Sequence, residues 1–513
     1  MTKDGAHLSP VASPNAVSSR HDASTRSHDA FDHDVEAAAG TASEDHTGTE
    51  LSALDGTSSG STQRRTDSSC NAHKNSPPLG LYHRSLRVTW QWFSVNMSTG
   101  AMASLLGQIP FGFRGLRTIG EIFYVVNLVT FCAFLALMGA RFARKPRALP
   151  TSLHHPSESF FFGGFWVAVA LLLNGAQTYG VPRCGPWLVA AVRVLFWLYY
   201  ACATCVAVAQ YHIIFHAETL TLADAMPAWV LPTYPFLVTG VVAANVAKTQ
   251  TGTSAVQIIV GGLAAQGLGW TIALFIYTVY LTRLISSKMP PPSMRPGLYI
   301  SVGPAAYTCA GILLLGQQAR KHIPDDYLGI TAFPVGELWY AVSVPVGIFL
   351  WLLCMWFSSV ATLSIIRDAR RMHFSLSWWA FVFPNAGMAI ATIQVGTVLE
   401  SKPVQIAACV VSVMLVPLWL MCAVLHIRAV YRRDLLAPGK DVGVDDVNQA
   451  HDVKQRKADA RRQLRRETRR SNSARMSFGS GNSGGNRLKM QQNGLRSVAP
   501  ARVDEEVTNE KED

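Results

Sequence analysis

Between Trp90 and Arg432 the chain alternates long apolar stretches with short polar connections, ten times over. The stretches run over about 89–109, 119–142, 159–181, 187–215, 225–247, 255–286, 297–319, 336–366, 375–399 and 403–432. At about 1.5 Å of rise per residue, each approaches or exceeds the length needed to cross about 30 Å of hydrocarbon as a helix. The odd-numbered stretches carry Gly or Pro in their interiors: Ser98-Thr99-Gly100, then Gly163-Gly164 and Gly175, then Pro227, Pro232 and Pro235, then Gly303-Pro304, then Pro384 and Gly387. The even-numbered ones read more smoothly, although Pro345, Pro417 and Gly261-Gly262 interrupt them too. Lipid offers no partner to a freed backbone group, so a broken helix at membrane depth is tolerated where protein or a water-filled cavity surrounds it. The alternation therefore predicts odd helices inside and even helices outside; ordinary kinks in a packed bundle are the alternative.

Polar residues inside the stretches fall on the same odd members: Asn96 and Thr99, Asn174 and Gln177, Asn245, Tyr307 and Thr308, Asn385 and Gln394. Intramembrane polar groups are costly, which makes each a functional candidate. Hydroxyls, amides and the dipoles of kinked helices can replace the hydration of an anion without trapping it. Hydrogen bonding between helices accounts for the same residue types equally well. Arg193 is the one cation deep in a stretch, on the fourth; it either attracts a carboxylate, snorkels, or forms a structural ion pair. Glu121, Glu158, Glu337 and Glu400 all fall near segment ends, so no buried carboxylate stands out as a proton relay.

Composition agrees with a polytopic membrane protein, being 49% hydrophobic and only 15% charged. Three regions follow: a polar arm over 1–80 without enough apolar content to build a core, a membrane domain over 85–435, and a basic tail over 436–513. Both arms are expected to be disordered. Lys and Arg in the short loops divide about two to one in favour of the side carrying the termini, which predicts both termini in the cytosol. The net charge of +12 owes much to arginine pairs between Lys454 and Arg475, placed to attract anionic lipid at about 1 kcal/mol per charge. Nucleic acid is no natural partner for a chain anchored this way. Phosphorylation of Ser471 or Ser473, beside those pairs, would weaken the attraction. Cys202 and Cys205 stand in CxxC order but inside an apolar helix, where they read as space-filling residues. No phosphate loop, zinc helix or nucleophile elbow is present, and neither a cofactor nor enzymatic chemistry is expected.

Five strings together resemble one family: Phe93-Ser-Val-Asn-Met-Ser-Thr-Gly100, His155-Pro-Ser-Glu158-Ser-Phe160, Arg193-Val-Leu-Phe-Trp197, Arg295-Pro-Gly-Leu-Tyr-Ile-Ser-Val-Gly-Pro304 and Trp378-Trp-Ala-Phe-Val-Phe-Pro-Asn385. The resemblance is to the tellurite-resistance/dicarboxylate transporters, which include fungal malic acid transporters, fungal sulfite efflux pumps and plant slow anion channels. It covers about 85–435. It implies an all-α integral membrane fold of ten helices, arranged as five hairpins around a central anion path with the odd helices inside, often as a homotrimer. It also implies an occluding Phe on the ninth helix, with Phe383 the first match and Phe381 the second. The strings Phe383-Pro-Asn385 and His155-Pro-Ser-Glu158 look more like the malate branch than the sulfite branch. On that resemblance the substrate is a C4-dicarboxylate anion, accompanied by protons on uptake, and the transporter's address is the plasma membrane. Pro304 joins the neutral polar residues as a candidate lining residue, and a sulfite efflux pump and a gated anion conductance are the competing functions.

Overall fold

The computed structural model describes residues 86–217, 222–287 and 289–436. The arms expected at 1–80 and beyond Leu436, with the basic run and its serines, lie outside the described residues. All regular structure within them is helical. The ten apolar stretches become α1 (Phe93–Leu106), α2 (Leu116–Arg144), α3 (Phe162–Gly175), α4 (Pro186–Ala217), α5 (Tyr234–Ala247), α6 (Gly252–Ser286), α7 (Val302–His322), α8 (Val335–Ile366), α9 (Phe383–Val398) and α10 (Lys402–Tyr431).

Among the described residues eight helical segments are long and apolar enough to cross a membrane. The exceptions are α1 and α3, at 14 residues each; a 3-10 turn, Trp90–Trp92, precedes the first, and a π-helical stretch, Ala176–Gly180, follows the second. Burial divides the eight sharply. The most apolar windows of Pro227–Ala247, Pro292–His322 and Leu376–Val398 are 100%, 89% and 89% buried, whereas those of α2, α4, α6, α8 and α10 are 22% to 39% buried. Apolar side chains such as Val129, Leu198, Phe275, Leu352 and Val413 stand exposed on the latter five, the surface an apolar solvent requires. Packing neighbours follow a simple order: each odd helix touches the even helix after it, α1, α3, α5, α7 and α9 each touch the next in that series, and α9 touches α1.

The interruption expected in the middle of the first stretch is absent, since α1 runs unbroken through Ser98-Thr99-Gly100. Gly100 instead permits close approach: a Cβ there would lie 2.7 Å from Asn127 Nδ2 on α2 and 2.8 Å from Leu171 Cβ on α3. The breaks lie at the N-terminal ends, where 3-10 runs Pro227–Thr233, Pro292–Ser301 and Leu376–Phe381 lead into α5, α7 and α9. Proline is at home there. Pro235 and Pro384 occupy first-turn positions of α5 and α9, where no intrahelical N–H bond is lost. Carbonyls at these junctions must find other partners, and hydroxyls of neighbouring segments supply them. Tyr211 donates to the Trp229 carbonyl at 2.9 Å, Tyr199 to Pro235 at 2.8 Å and Ser98 to Trp379 at 2.9 Å, and Tyr234 donates to Ile300.

The carboxylates expected at segment ends are there, three of them ion-paired. Glu158 pairs with Arg141 at 2.8 Å with both side chains buried, Glu121 with Arg183 at 2.7 Å, and Glu337 with Arg320 at 2.7 Å.

Candidate functional site

Two features occupy opposite ends of the odd helices. The first is a cavity of about 40 Å³ at their N-terminal ends, room for a few waters on a scale of roughly 10–15 Å³ each. All five odd segments line it and no even helix does. Ser94, Met97 and Ser98 come from α1, Phe161 from the residue before α3, Leu231 and Tyr234 from the α5 junction, Ile300 from the α7 junction, and Leu376, Ser377, Trp379, Ala380, Phe383 and Pro384 from the α9 junction.

Phe383 is the central group. Its ring stacks on Tyr307 of α7, with centroids 5.0 Å apart and planes 22° apart, and lies 5.6 Å from Tyr234 of α5. The Tyr307 hydroxyl reaches back to the Phe383 carbonyl at 3.4 Å. Two glycines make the cluster possible: a Cβ on Gly387 would lie 2.6 Å from the Tyr307 ring, and one on Gly303 would lie 2.2 Å from the Tyr234 hydroxyl. Phe381, the second sequence candidate, does not line the cavity; it packs edge-on against Tyr299 and Trp378, at 5.5 Å from each.

At the C-terminal ends of the odd helices lies a continuous hydrogen-bonded girdle. Lys248, capping α5, donates to Asn245 Oδ1 at 2.8 Å; Asn245 donates to Asn174 Oδ1 on α3 at 2.7 Å; Asn174 donates to Ser104 Oγ on α1 at 2.8 Å. Gln108, just beyond α1, donates to the same Ser104 hydroxyl at 3.4 Å. Gln394 of α9 donates to Gln108 at 3.2 Å, and Gln317 of α7 to Gln394 at 3.2 Å. The links visit α5, α3, α1, α9 and α7 in spatial order. Gln177, in the π-helical turn, is not bonded into this chain of links; it donates to Thr249, the residue after Lys248, at 3.0 Å, while its own carbonyl oxygen is buried without a partner.

The structure thus brings together some of the residues expected from sequence and separates others. Phe383 lines the cavity and stacks on Tyr307, and Asn174, Asn245 and Gln394 belong to the girdle. Asn96 turns outward, bonding Asn127 and Thr130 of α2 at 3.0 Å each. Thr99 bonds the Val95 carbonyl at 2.8 Å and accepts from Trp419 of α10 at 3.1 Å. Asn385 donates to the Phe381 carbonyl at 2.9 Å and accepts from Ser358 of α8 at 3.3 Å. Pro304 sits buried in the first turn of α7, outside the cavity lining. Arg193 donates to Ser254 at 3.2 Å, joining α4 to α6 rather than entering the odd series.

Tyr234, Gln108 and Gln317 carry no signal in the sequence that marks them out, and Lys248 stands there as no more than a loop charge. Gln266 of α6 is hardly better marked: this side chain enters between Gly240 of α5 and Gly311 of α7, where a Cβ on either would lie 2.3 and 2.7 Å from its Oε1, and donates to Thr308 at 2.9 Å. The available signal was weak, a Gln in an apolar helix opposite two glycines.

Comparison with known proteins matches residues 87–427 to the voltage-dependent anion channel family. The malic acid transport protein of Schizosaccharomyces pombe is 30% identical over 368 residues, covering 71% of this chain and 83% of that protein. A sulfite efflux pump of Arthroderma otae is 30% identical over 340 residues, covering 64% of this chain and 87% of the pump. An uncharacterised transporter of Methanocaldococcus jannaschii is 24% identical over 305 residues, covering 59% and 82%.

Proposed function

Because this chain belongs to the voltage-dependent anion channel family, a multi-pass membrane family among whose members it is similar to a malic acid transporter and to sulfite efflux pumps, we propose that it moves C4-dicarboxylates such as malate across the plasma membrane. In this reading the ten helices all span the bilayer as five hairpins, the odd helices surround the path, both termini are cytosolic, and Phe383 closes the path at rest. The observation that carries it is the cavity lined by all five odd segments and by no even helix, with the Phe383 ring held between Tyr234 and Tyr307.

Several physical features support an anion as the cargo. The N-terminal ends of five helices converge on the cavity, and each carries about half a positive charge from its aligned peptide dipoles. Neutral hydroxyls and aromatic rings complete the lining, so an anion is favoured without being held. A malate dianion leaving a cell-negative interior gains about 2.3 kcal/mol per charge per 100 mV, so efflux needs no coupled ion. Uptake runs against that field. Among the described residues three of the four segment-end carboxylates that the sequence flagged, Glu121, Glu158 and Glu337, are engaged by an arginine, and the fourth, Glu400, is exposed just beyond α9, which favours a substrate that carries its own proton.

The test is radiolabelled malate flux in vesicles containing the full chain under imposed pH gradients. Uptake should rise as the outside is acidified. Similarity to sulfite efflux pumps supports sulfite as the second cargo; robust sulfite movement with no malate movement would replace the first reading by the second.

A further inference from the structure

The cavity and its Phe383 account for one end of the odd helices and leave the girdle at the other end unexplained. Its helix termini pose an electrostatic difficulty. The C-terminal ends of helices carry partial negative charge, so an anion meeting this end of the path faces a field of the wrong sign. Two lysines stand in the way of that conclusion: Lys248, at the cap of α5, and Lys321, in the last turn of α7. Among the described residues neither has a carboxylate partner within ion-pair distance.

An ordinary role for such lysines is to balance the helix dipole from solvent. Lys248 departs from it in two ways. Its ammonium is bonded into the girdle through Asn245 at 2.8 Å. Although the residue as a whole is exposed, the ammonium itself is crowded by protein: its pKa lies below the ordinary lysine value, first through desolvation and second through the charge of Lys321. Both causes penalise the charged form, and the attraction of an approaching anion offsets both. The neighbouring Gln177, through Thr249, leaves a buried amide oxygen unpaired, so the polar groups here have not saturated one another. A monoprotonated diacid offers what the site lacks, a carboxylate for the lysines and an O–H for that oxygen.

We propose that the girdle is a dicarboxylate-binding station in series with the Phe383 constriction, in which Lys248 is the principal contact for a carboxylate and Lys321 supplies the second positive charge. It rests on the anion-transport reading above. The lysine charges for the carboxylate and the Gln177 oxygen for the acid O–H together select a monoprotonated diacid over a small anion without a second carboxyl group, a distinction the aromatic constriction has no groups to make.

The experiment is malate uptake titrated for wild type, K248Q, K248R and K321Q, with rates normalised to the amount of each variant in the membrane. K248Q should raise KM about tenfold, the loss expected for one charge-assisted hydrogen bond, with the maximal rate little changed. K248R should stay near wild type, and K321Q should raise KM by a smaller factor. Sulfite movement in the same variants should change less than malate movement. An unchanged KM in K248Q, or an equal rise in K248R, overturns the station while leaving the anion path intact. Wild-type vesicles that move sulfite and not malate remove the dicarboxylate from the station, and wild-type vesicles that move neither remove the transport reading itself.

Discussion

Phe383 and Phe381 lie two positions apart on the same junction, yet the structure separates them. Phe383 lines the cavity between two tyrosines, whereas Phe381 leans away onto Tyr299 and Trp378. Removing the Phe383 ring therefore enlarges a space shared by all five odd segments; removing the Phe381 ring leaves a void beside it. F383A should raise resting malate leak several-fold and F381A should not, measured as efflux from loaded vesicles before any gradient is imposed. Either buried Phe to Ala change costs about 3–5 kcal/mol of stability, so F383L, which keeps most of the bulk, serves as the folding control and should leak less than F383A. Equal leak from F381A and F383A would sink the assignment of the gate. The Tyr307 hydroxyl contributes little by comparison, because its bond to the Phe383 carbonyl is long at 3.4 Å. Y307F should preserve the stack and with it a low leak.

Tyr307 stays against Phe383 because α9 approaches α7 closely, and Gly387 permits that approach. A Cβ at Gly387 would lie 2.6 Å from the Tyr307 ring, inside any tolerable contact. G387A should lower the thermal midpoint in detergent, at a cost of about 1–3 kcal/mol for overpacking, and in a double-mutant cycle Y307A should recover much of that loss. Additive losses would show that the strain falls elsewhere. The same positions explain what sequence could and could not reveal. Hydropathy located all ten helical regions, since an apolar run has to be buried or lipid-facing whatever its partners, but it ran on through the 3-10 entries, so α5, α7 and α9 begin several residues later than the apolar stretches do. Glycine and proline were read together as breaks, and they divide otherwise: Pro232, Pro235 and Pro384 mark 3-10 to α junctions and Gly175 closes α3 before the π-helical stretch, while Pro345 and Pro417 lie inside unbroken α8 and α10 and Gly100 and Gly387 mark close contacts between helices. A clash with a ring on another helix leaves no local trace in sequence. Phe383 was legible only through the family resemblance and Tyr307 only as a polar group in an odd stretch; Gln266 was not, because Gly240, Gly311 and Thr308 lie on other segments, and Lys248 was not, because the Asn245 that it bonds takes its place in the girdle from Asn174 of α3. Asn96 and Asn385 illustrate the converse, polar groups on odd segments whose bonds run to α2 and α8.

For the whole molecule, the decisive quantity is the charge that crosses with each substrate. The buried Arg141–Glu158 pair joins the end of α2 to the short helix Pro156–Ser159 and also holds the Val88 carbonyl at 2.8 Å, tying the entry of the first segment to the frame. E158A should therefore destabilise by about 3–5 kcal/mol, as expected when one member of a buried pair is removed, visible as a lower thermal midpoint; E158A should not abolish the pH response of any protein that still folds, because no proton is assigned to this carboxylate. The pH response belongs instead to the substrate. If malate crosses as the monoanion, each molecule moves one charge, and 100 mV alters its driving force by about 2.3 kcal/mol; if it crosses as the dianion, the change is about twice that. The two cases separate in the zero-flux potential measured at fixed total malate on both sides. Acidifying one side enriches the monoanion there and depletes the dianion, so the two species have gradients of opposite sign. The zero-flux potential should follow the monoanion gradient as the outer pH is lowered through the range where malate takes up its first proton. A potential that follows the dianion gradient would mean that the proton stays behind, and efflux down the membrane field would then be the direction for which this pathway is built.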